Sequence, residues 1–188
     1  GLRRMMREEL NWHANDDSMP LKPQRIIRDL RTALAPDDIV ICDVGAHKLW
    51  MARMYQAEAP NTCIISNGFA SMGIAVPGAV AAKLASPKRK VVAVTGDAGF
   101  LMNSQELETA VRLRTPLVVL IWTDNSYGLI EWKQQIHYHR ASNVAFGNPD
   151  FVKYADSFGA RGYRIARAEE LLPTLKQALA DDAVSVID

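Results

Sequence analysis

A doubly wound α/β fold is predicted, a mainly parallel sheet of about six strands with helices on both faces. Two observations carry this. Short β-branched runs alternate with helical stretches along most of the chain, and the strand runs are almost continuously apolar, as in Leu117-Val-Val-Leu-Ile-Trp122. Such strands belong in a parallel sheet covered on both faces, and helices between them supply the crossovers.

Residues 1 to about 22 are charged, carry Asn15-Asp16-Asp17-Ser18 and Pro20, and lack a sustained period. They read as a linker or arm from a preceding domain, with the main domain over 23–188. From Pro23 the spacing of Ile26, Ile27, Leu30 and Leu34 predicts a helix that stops before Pro36. Strands are expected at Ile39 to Cys42, Thr62 to Ile65, Val91 to Thr95, Leu117 to Trp122, Gly162 to Ile165 and Ala183 to Ile187. Helices are expected near 47–57, 72–85, 104–114, 150–158 and 168–180. A last strand running almost to Asp188, together with the linker-like start, predicts a domain cut from a longer polypeptide.

Charge excludes some partners. With 22 Lys+Arg against 21 Asp+Glu and a pI near 8.0, there is no electrostatic footprint for nucleic acid or an anionic membrane. No apolar run approaches the roughly 20 residues of a membrane span, and no signal-peptide core follows Gly1-Leu-Arg-Arg. Cys42 and Cys63 lack any metal-binding spacing and are expected as reduced thiols in a cytoplasmic protein.

In an open parallel sheet, ligands bind beyond the carboxyl ends of the strands. The strand ending at Thr95 leads into Gly96-Asp97-Ala98-Gly99, and Asn103 with Glu106 fits a capping box for the next helix. The strand ending at Trp122 leads into Thr123-Asp124-Asn125-Ser126-Tyr127-Gly128. If the two strands are neighbours, about 4.8 Å apart, Asp97 and Asp124 leave the same edge side by side. Two carboxylates there call for a shared proton or a cation, and Mg²⁺ with phosphate oxygens suits one or two carboxylates and a glycine-rich loop. The alternative from spacing alone is that both are ordinary turn and capping residues. No GxxxxGK[ST] or GxGxxG supports a nucleotide site.

At these residues the chain resembles thiamine diphosphate-dependent enzymes, whose Gly-Asp-Gly motif is followed after some twenty-five to thirty residues by Asn or Asp. Here Asp97 and Asp124 enclose 26 residues. Asp43-Val-Gly-Ala-His47-Lys-Leu-Trp50, Ser66-Asn-Gly-Phe-Ala-Ser-Met72-Gly-Ile-Ala-Val-Pro77, Gly96-Asp-Ala-Gly-Phe-Leu101 and Glu106-Leu-Glu-Thr-Ala-Val-Arg112 resemble the diphosphate-binding, C-terminal domain of acetolactate synthases. Asp124 and the last of these runs are similar to the catabolic, flavin-independent branch.

The resemblance implies thiamine diphosphate and Mg²⁺ as cofactors. Asp97 and Asp124 would ligate the metal by side chain and Ser126 by its carbonyl. Gly45, Ala46, His47, Gly96, Ala98, Gly99, Tyr127 and Leu129 would surround the cofactor. Met72 would support its bent form, in which the pyrimidine amino group reaches the thiazolium C2 and takes its proton. Ile130 and Lys133, with Met72, form the implied catalytic set, and Trp132 falls on the same substrate-facing helix. Read without the family, Met72 is core filler, His47 a satisfied turn histidine, His137 and His139 a solvated pair, and Trp132 surface packing.

Two departures follow. Ala98 stands where the family has Gly, and Ala resists positive φ. The glutamate that protonates the pyrimidine belongs to the family's other cofactor-binding domain, so this chain is expected not to catalyse alone. The implied reaction joins two pyruvates into 2-acetolactate with loss of CO₂, the pyrimidine-binding domain coming from another subunit of a homodimer or homotetramer. Another 2-oxo acid decarboxylase or carboligase, and a non-catalytic Mg²⁺-dependent binding module, are the alternatives.

Overall fold

The structure, a computed structural model, describes residue 5, residues 8 and 9, and residues 12–188. Of the arm predicted over residues 1 to about 22, residues 1–4, 6, 7, 10 and 11 lie outside the described residues. The remainder runs α1 (Pro23–Ala33), β1 (Ile39–Cys42), α2 (Ala46–Met54), β2 (Cys63–Ile65), α3 (Ala75–Ala85), β3 (Val91–Gly96), α4 (Asp97–Met102), α5 (Glu106–Arg112), β4 (Val118–Trp122), α6 (Gly128–Tyr138), α7 (Phe151–Ser157), β5 (Arg161–Tyr163), a 3₁₀ turn (Ala168–Glu170), α8 (Leu171–Ala180) and β6 (Ser185–Ile187).

All six strands pair in parallel in the order β2-β1-β3-β4-β6-β5. This is the predicted doubly wound α/β sheet. The period of two along each strand divides the apolar side chains between two cores. Ile39, Ile41, Val91, Ala93, Val119 and Ile121 pack with Val76, Phe100, Leu107 and Phe151 on one face, while Val40, Cys42, Val92, Val94, Val118 and Leu120 pack with Leu30, Met51 and Leu175 on the other. Both faces are dry, which is why the strands read as continuous apolar runs.

The order reverses between β1 and β3: the chain leaves β1 toward β2 on one side and returns to β3 on the other. Loops diverge at such a point and open a crevice above the sheet's carboxyl edge. The fold therefore places its binding crevice beside the segments after β1, β3 and β4.

Three local expectations differ from the structure. The helix predicted over 72–85 starts at Ala75, because Gly73 adopts φ +88 and breaks the helical path. The helix expected near 104–114 is α5, Glu106–Arg112, and it is preceded by a further short helix, α4, over Asp97–Met102, where no helix is expected. Asn103 and Glu106 form no capping box: Asn103 ends α4, with its N–H on the Phe100 carbonyl at 3.2 Å, and its side chain turns away to donate to the Gly73 carbonyl at 2.9 Å.

The segment before α1 is tied to the domain by charge. Arg25, 6% exposed, donates to the fully buried Asp29 at 2.8 Å and to the Ala168 carbonyl at 3.1 Å, and pairs with Asp17; Arg28 holds the other Asp29 oxygen at 2.6 Å. A buried carboxylate between two guanidiniums is satisfied, and removing either partner would strand it.

Candidate functional site

β3 and β4 are adjacent, with Gly96 opposite Trp122 at the end of their register. Asp97 and Asp124 therefore emerge at one edge, as the spacing argument expects of neighbouring strands. Asp97 opens α4 and is 2% exposed. Its Oδ1 accepts the Ala98 N–H at 2.8 Å, and its Oδ2 accepts the N–H groups of Asp124 at 3.3 Å and Asn125 at 2.8 Å and the Asn148 side-chain amide at 2.7 Å. Oδ2 is saturated. Oδ1, with one donor among the described residues, keeps a lone pair for a cation.

Asp124 lies exposed at the rim, and its Oδ1 accepts the Ser126 N–H at 3.0 Å. Its pKa is raised, first by partial desolvation and then by the nearby charges of Asp97 and Glu131. Among the described residues, neither Asp97 nor Asp124 has a salt-bridge partner. A divalent cation would relieve that repulsion, and hard oxygen donors of this kind suit Mg²⁺. The loop bearing Asp124 is braced from outside: Phe146 N–H meets the Asn125 carbonyl at 3.0 Å, Tyr127 N–H meets the Val144 carbonyl at 2.9 Å, and the Tyr127 and Phe146 rings lie 5.0 Å apart.

Across the switch point, α2 begins at Ala46 with Gly45 as its cap, a residue that offers no side-chain acceptor. The Lys48 N–H meets the Gly45 carbonyl at 3.2 Å, while among the described residues the amides of Ala46 and His47 have no partner and are left for an anion. His47, 5% exposed, sits in that turn with its ring 6.1 Å from Trp122, which in turn stacks on Trp50 at 6.3 Å. Burial pulls the His47 pKa down to about 4 against the opposing pull of Asp43 and Asp97, so the ring is neutral near pH 7. Its buried Nε2 has no hydrogen-bond partner among the described residues.

These groups share one cleft of about 700 Å³. Of the residues singled out from the sequence, Gly45, Ala46, His47, Met72, Gly96, Asp97, Ala98, Gly99, Asp124, Ser126, Tyr127, Leu129 and Ile130 line it. Trp132 and Lys133 lie exposed on α6 outside the lining: Trp132, two positions after Ile130, points to the opposite side of the helix, and Lys133, on the face of Leu129 and Ile130, stands a turn further along. His137 ends its side of α6 and His139 caps it at φ 54, both exposed; among the described residues no group of three His, Cys, Asp or Glu could hold a metal. The backbone concern at Ala98 does not arise: the residue is helical, within α4, and its φ is not positive.

Four contributors escape a reading of the sequence. Asn148 bridges Asp97 and Asn125, at 2.7 and 2.9 Å, from a loop with no periodicity to mark it. Glu131 accepts the Ser126 hydroxyl at 2.5 Å. Gly128 leaves room for Asp124, since a Cβ there would stand 2.6 Å from its Oδ2. Asp43 is fully buried beneath the cleft, where it gathers backbone donors.

Residues 43–188 match the family described as "Thiamine pyrophosphate enzyme, C-terminal TPP binding domain". Over 187 residues the chain is 41% identical to an acetolactate synthase of Bacillus subtilis (strain 168), covering 100% of this chain and 33% of that protein. A catabolic acetolactate synthase of Raoultella terrigena is 42% identical over 167 residues, 89% of this chain and 30% of that protein. The mitochondrial acetolactate synthase catalytic subunit of Saccharomyces cerevisiae is 36% identical over 162 residues, 84% of this chain and 23% of that protein. The chain spans about a third of the length of the first two relatives.

Proposed function

Because the chain belongs to the C-terminal TPP-binding domain family of thiamine pyrophosphate enzymes, we propose that it is the diphosphate- and Mg²⁺-holding domain of a catabolic-type acetolactate synthase, turning two pyruvates into 2-acetolactate and CO₂. Thiamine pyrophosphate and thiamine diphosphate are one cofactor. The observation that carries the reading is the meeting of Asp97 and Asp124 at the β3–β4 edge, in a cleft that opens at the sheet's switch point.

The residues fit the group. Asp97 Oδ1, the Asp124 carboxylate and the Ser126 carbonyl are the oxygen donors for Mg²⁺. The amides of Ala46 and His47 at the start of α2 and the small residues Gly45, Gly96 and Ala98 would form the diphosphate cradle. Met72 and Leu129, which line the cleft, would hold the cofactor's apolar body, and Ile130 would contact the substrate; Lys133 stands further along α6, where a partner domain would have to reach it. When bound, thiamine diphosphate supplies an acidic thiazolium C2 as nucleophile and an electron sink for loss of CO₂. The chain's own part is to anchor the phosphates, neutralise their charge through the metal, and hold an apolar wall that keeps water from the reacting end.

His47, buried in the first turn of α2 where burial pulls its pKa down to about 4, offers this site an uncharged polar group near pH 7. The reading includes a pyrimidine-binding domain from a partner subunit, a homodimeric or homotetrameric assembly, and no activity for this domain alone. It also includes a cytoplasmic setting, with which the free thiols Cys42 and Cys63 agree. No helix among the described residues is long and apolar enough to cross a membrane.

The test is calorimetry on the full-length protein with thiamine diphosphate and Mg²⁺, followed by product analysis with pyruvate. Saturable binding that Asp97→Ala abolishes, and 2-acetolactate as product, are the expected results. Acetaldehyde without acetolactate would make the protein a decarboxylase of the same family. No heat of binding would leave a non-catalytic module.

A further inference from the structure

We propose that Asp43 and Asn103, neither of which lines the cleft, are positioning residues that fix Met72 by holding both ends of Gly73, the next residue along the chain. Asp43 directly follows β1 and is fully buried. Its two oxygens accept the Gly73 N–H at 2.9 and 3.1 Å, and the same carboxylate accepts from Val44 N–H at 2.7 Å, Thr95 Oγ1 at 3.0 Å and Ala75 N–H at 3.4 Å. Asn103, at the end of α4, donates from Nδ2 to the Gly73 carbonyl at 2.9 Å. One turn residue is thus gripped from β1 on its amide and from α4 on its carbonyl.

The surroundings leave no room for a side chain at 73. Gly73 sits at φ +88, and a Cβ there would lie 2.7 Å from Asn103 Nδ2 and 3.0 Å from Met102 Cβ. On the other side, Gly99 leaves the space that the Asp43 carboxylate occupies: a Cβ at 99 would stand 3.2 Å from Asp43 Oδ2 and 3.1 Å from Thr95 Oγ1. A local Ser, Asn or Asp at the cap of α3 would satisfy that helix start at little cost. The chain has Ile74 there instead, without a side-chain bond, and sends the amides of Gly73 and Ala75 to a carboxylate some thirty residues away. What the distant acceptor adds is a fixed relation between the Met72 turn and the strand that also delivers Gly45. Asn103 ties the same turn to the helix that begins with Asp97.

Met72 itself is half-buried and lines the cleft. Its direction of entry follows from the Gly73 unit, so loosening either grip moves the side chain against whatever fills the cleft. The inference rests on the preceding reading, that the occupant is thiamine diphosphate.

The experiment uses the full-length protein loaded with thiamine diphosphate and Mg²⁺, and compares wild type with Asn103→Ala, Asp43→Asn, Met72→Ala and the double variant Met72→Ala/Asn103→Ala. Two quantities are read: the cofactor Kd by calorimetry, and the rate of hydrogen–deuterium exchange at the cofactor C2 by NMR after acid quench. Asn103→Ala should slow exchange about tenfold while Kd stays within about threefold, and in the Met72→Ala background it should add nothing further. Asp43→Asn should shift exchange in the same direction; should it not fold, Asn103→Ala decides alone. Unchanged exchange in Asn103→Ala, or a fully additive loss in the double variant, overturns the positioning role and leaves the proposed function standing. Failure of wild type to bind the cofactor overturns the proposed function, and this inference falls with it.

Discussion

Asn148 donates its side-chain amide to Asp97 Oδ2 at 2.7 Å across 51 positions of sequence, and the same nitrogen reaches Asn125 Oδ1 at 2.9 Å. One amide thereby ties the start of α4 to the loop after β4. Losing a group that orients a metal ligand in this way typically costs about 10–100-fold in metal affinity. On the proposed reading of Asp97 as a Mg²⁺ ligand, Asn148→Ala should raise the Mg²⁺ concentration needed for half-maximal cofactor binding about tenfold, with little change in melting temperature. Titration of Mg²⁺ at fixed thiamine diphosphate measures it, and an unaltered midpoint would contradict the assignment.

Gly128→Ala should separate stability from binding. Residue 128 opens α6, where Ala is the better helix former by up to about 1 kcal/mol. Yet the new methyl would stand 2.6 Å from Asp124 Oδ2 and push the carboxylate aside. The expected result is an equal or higher melting temperature together with weaker Mg²⁺ binding.

Stability should fall with acid through His47. Its pKa is about 4 in the folded chain against 6.5 when exposed, so between these values the unfolded chain binds more protons and stability drops as pH falls. The contribution is whole above pH 6.5 and gone below about 4, on the order of 3 kcal/mol in all. Urea unfolding at a series of pH values should show the slope in wild type and a flatter one in His47→Gln.

Phe100 anchors α4 from below, 1% exposed, with the Phe151 ring edge-on at 5.4 Å and the Tyr154 ring at 6.0 Å. Phe100→Ala should cost about 3–5 kcal/mol in chemical denaturation. Since α4 starts with Asp97, cofactor affinity should fall along with stability.

The sheet was legible because its strands are buried on both faces: Leu117 to Trp122 and Val91 to Thr95 carry few polar residues and have turn signals at both ends. Adjacency of β3 and β4 entered the sequence argument only as a condition, which the register of the two strands meets, bringing Asp97 and Asp124 to one edge. Asp43 and Asn148 were not legible as site residues, because each acts through hydrogen bonds to groups tens of positions away, and spacing carries no trace of such partners. Asn103 shows the converse error. Its local pattern with Glu106 matches a cap, but a distant carbonyl at Gly73 competes for the side chain and wins. α6 gave no periodic signal for a simple reason: none of its residues is buried.

That absence of burial has a consequence of its own. α6 leans on the domain through polar contacts, Ser126 to Glu131 and a reciprocal pair between Gln134 and Ser142, while the two cores lie elsewhere. Its outward positions can therefore drift without eroding the scaffold. Selection, natural or in the laboratory, can rewrite them to suit a new acceptor molecule or docking surface while the phosphate anchor stays as it is.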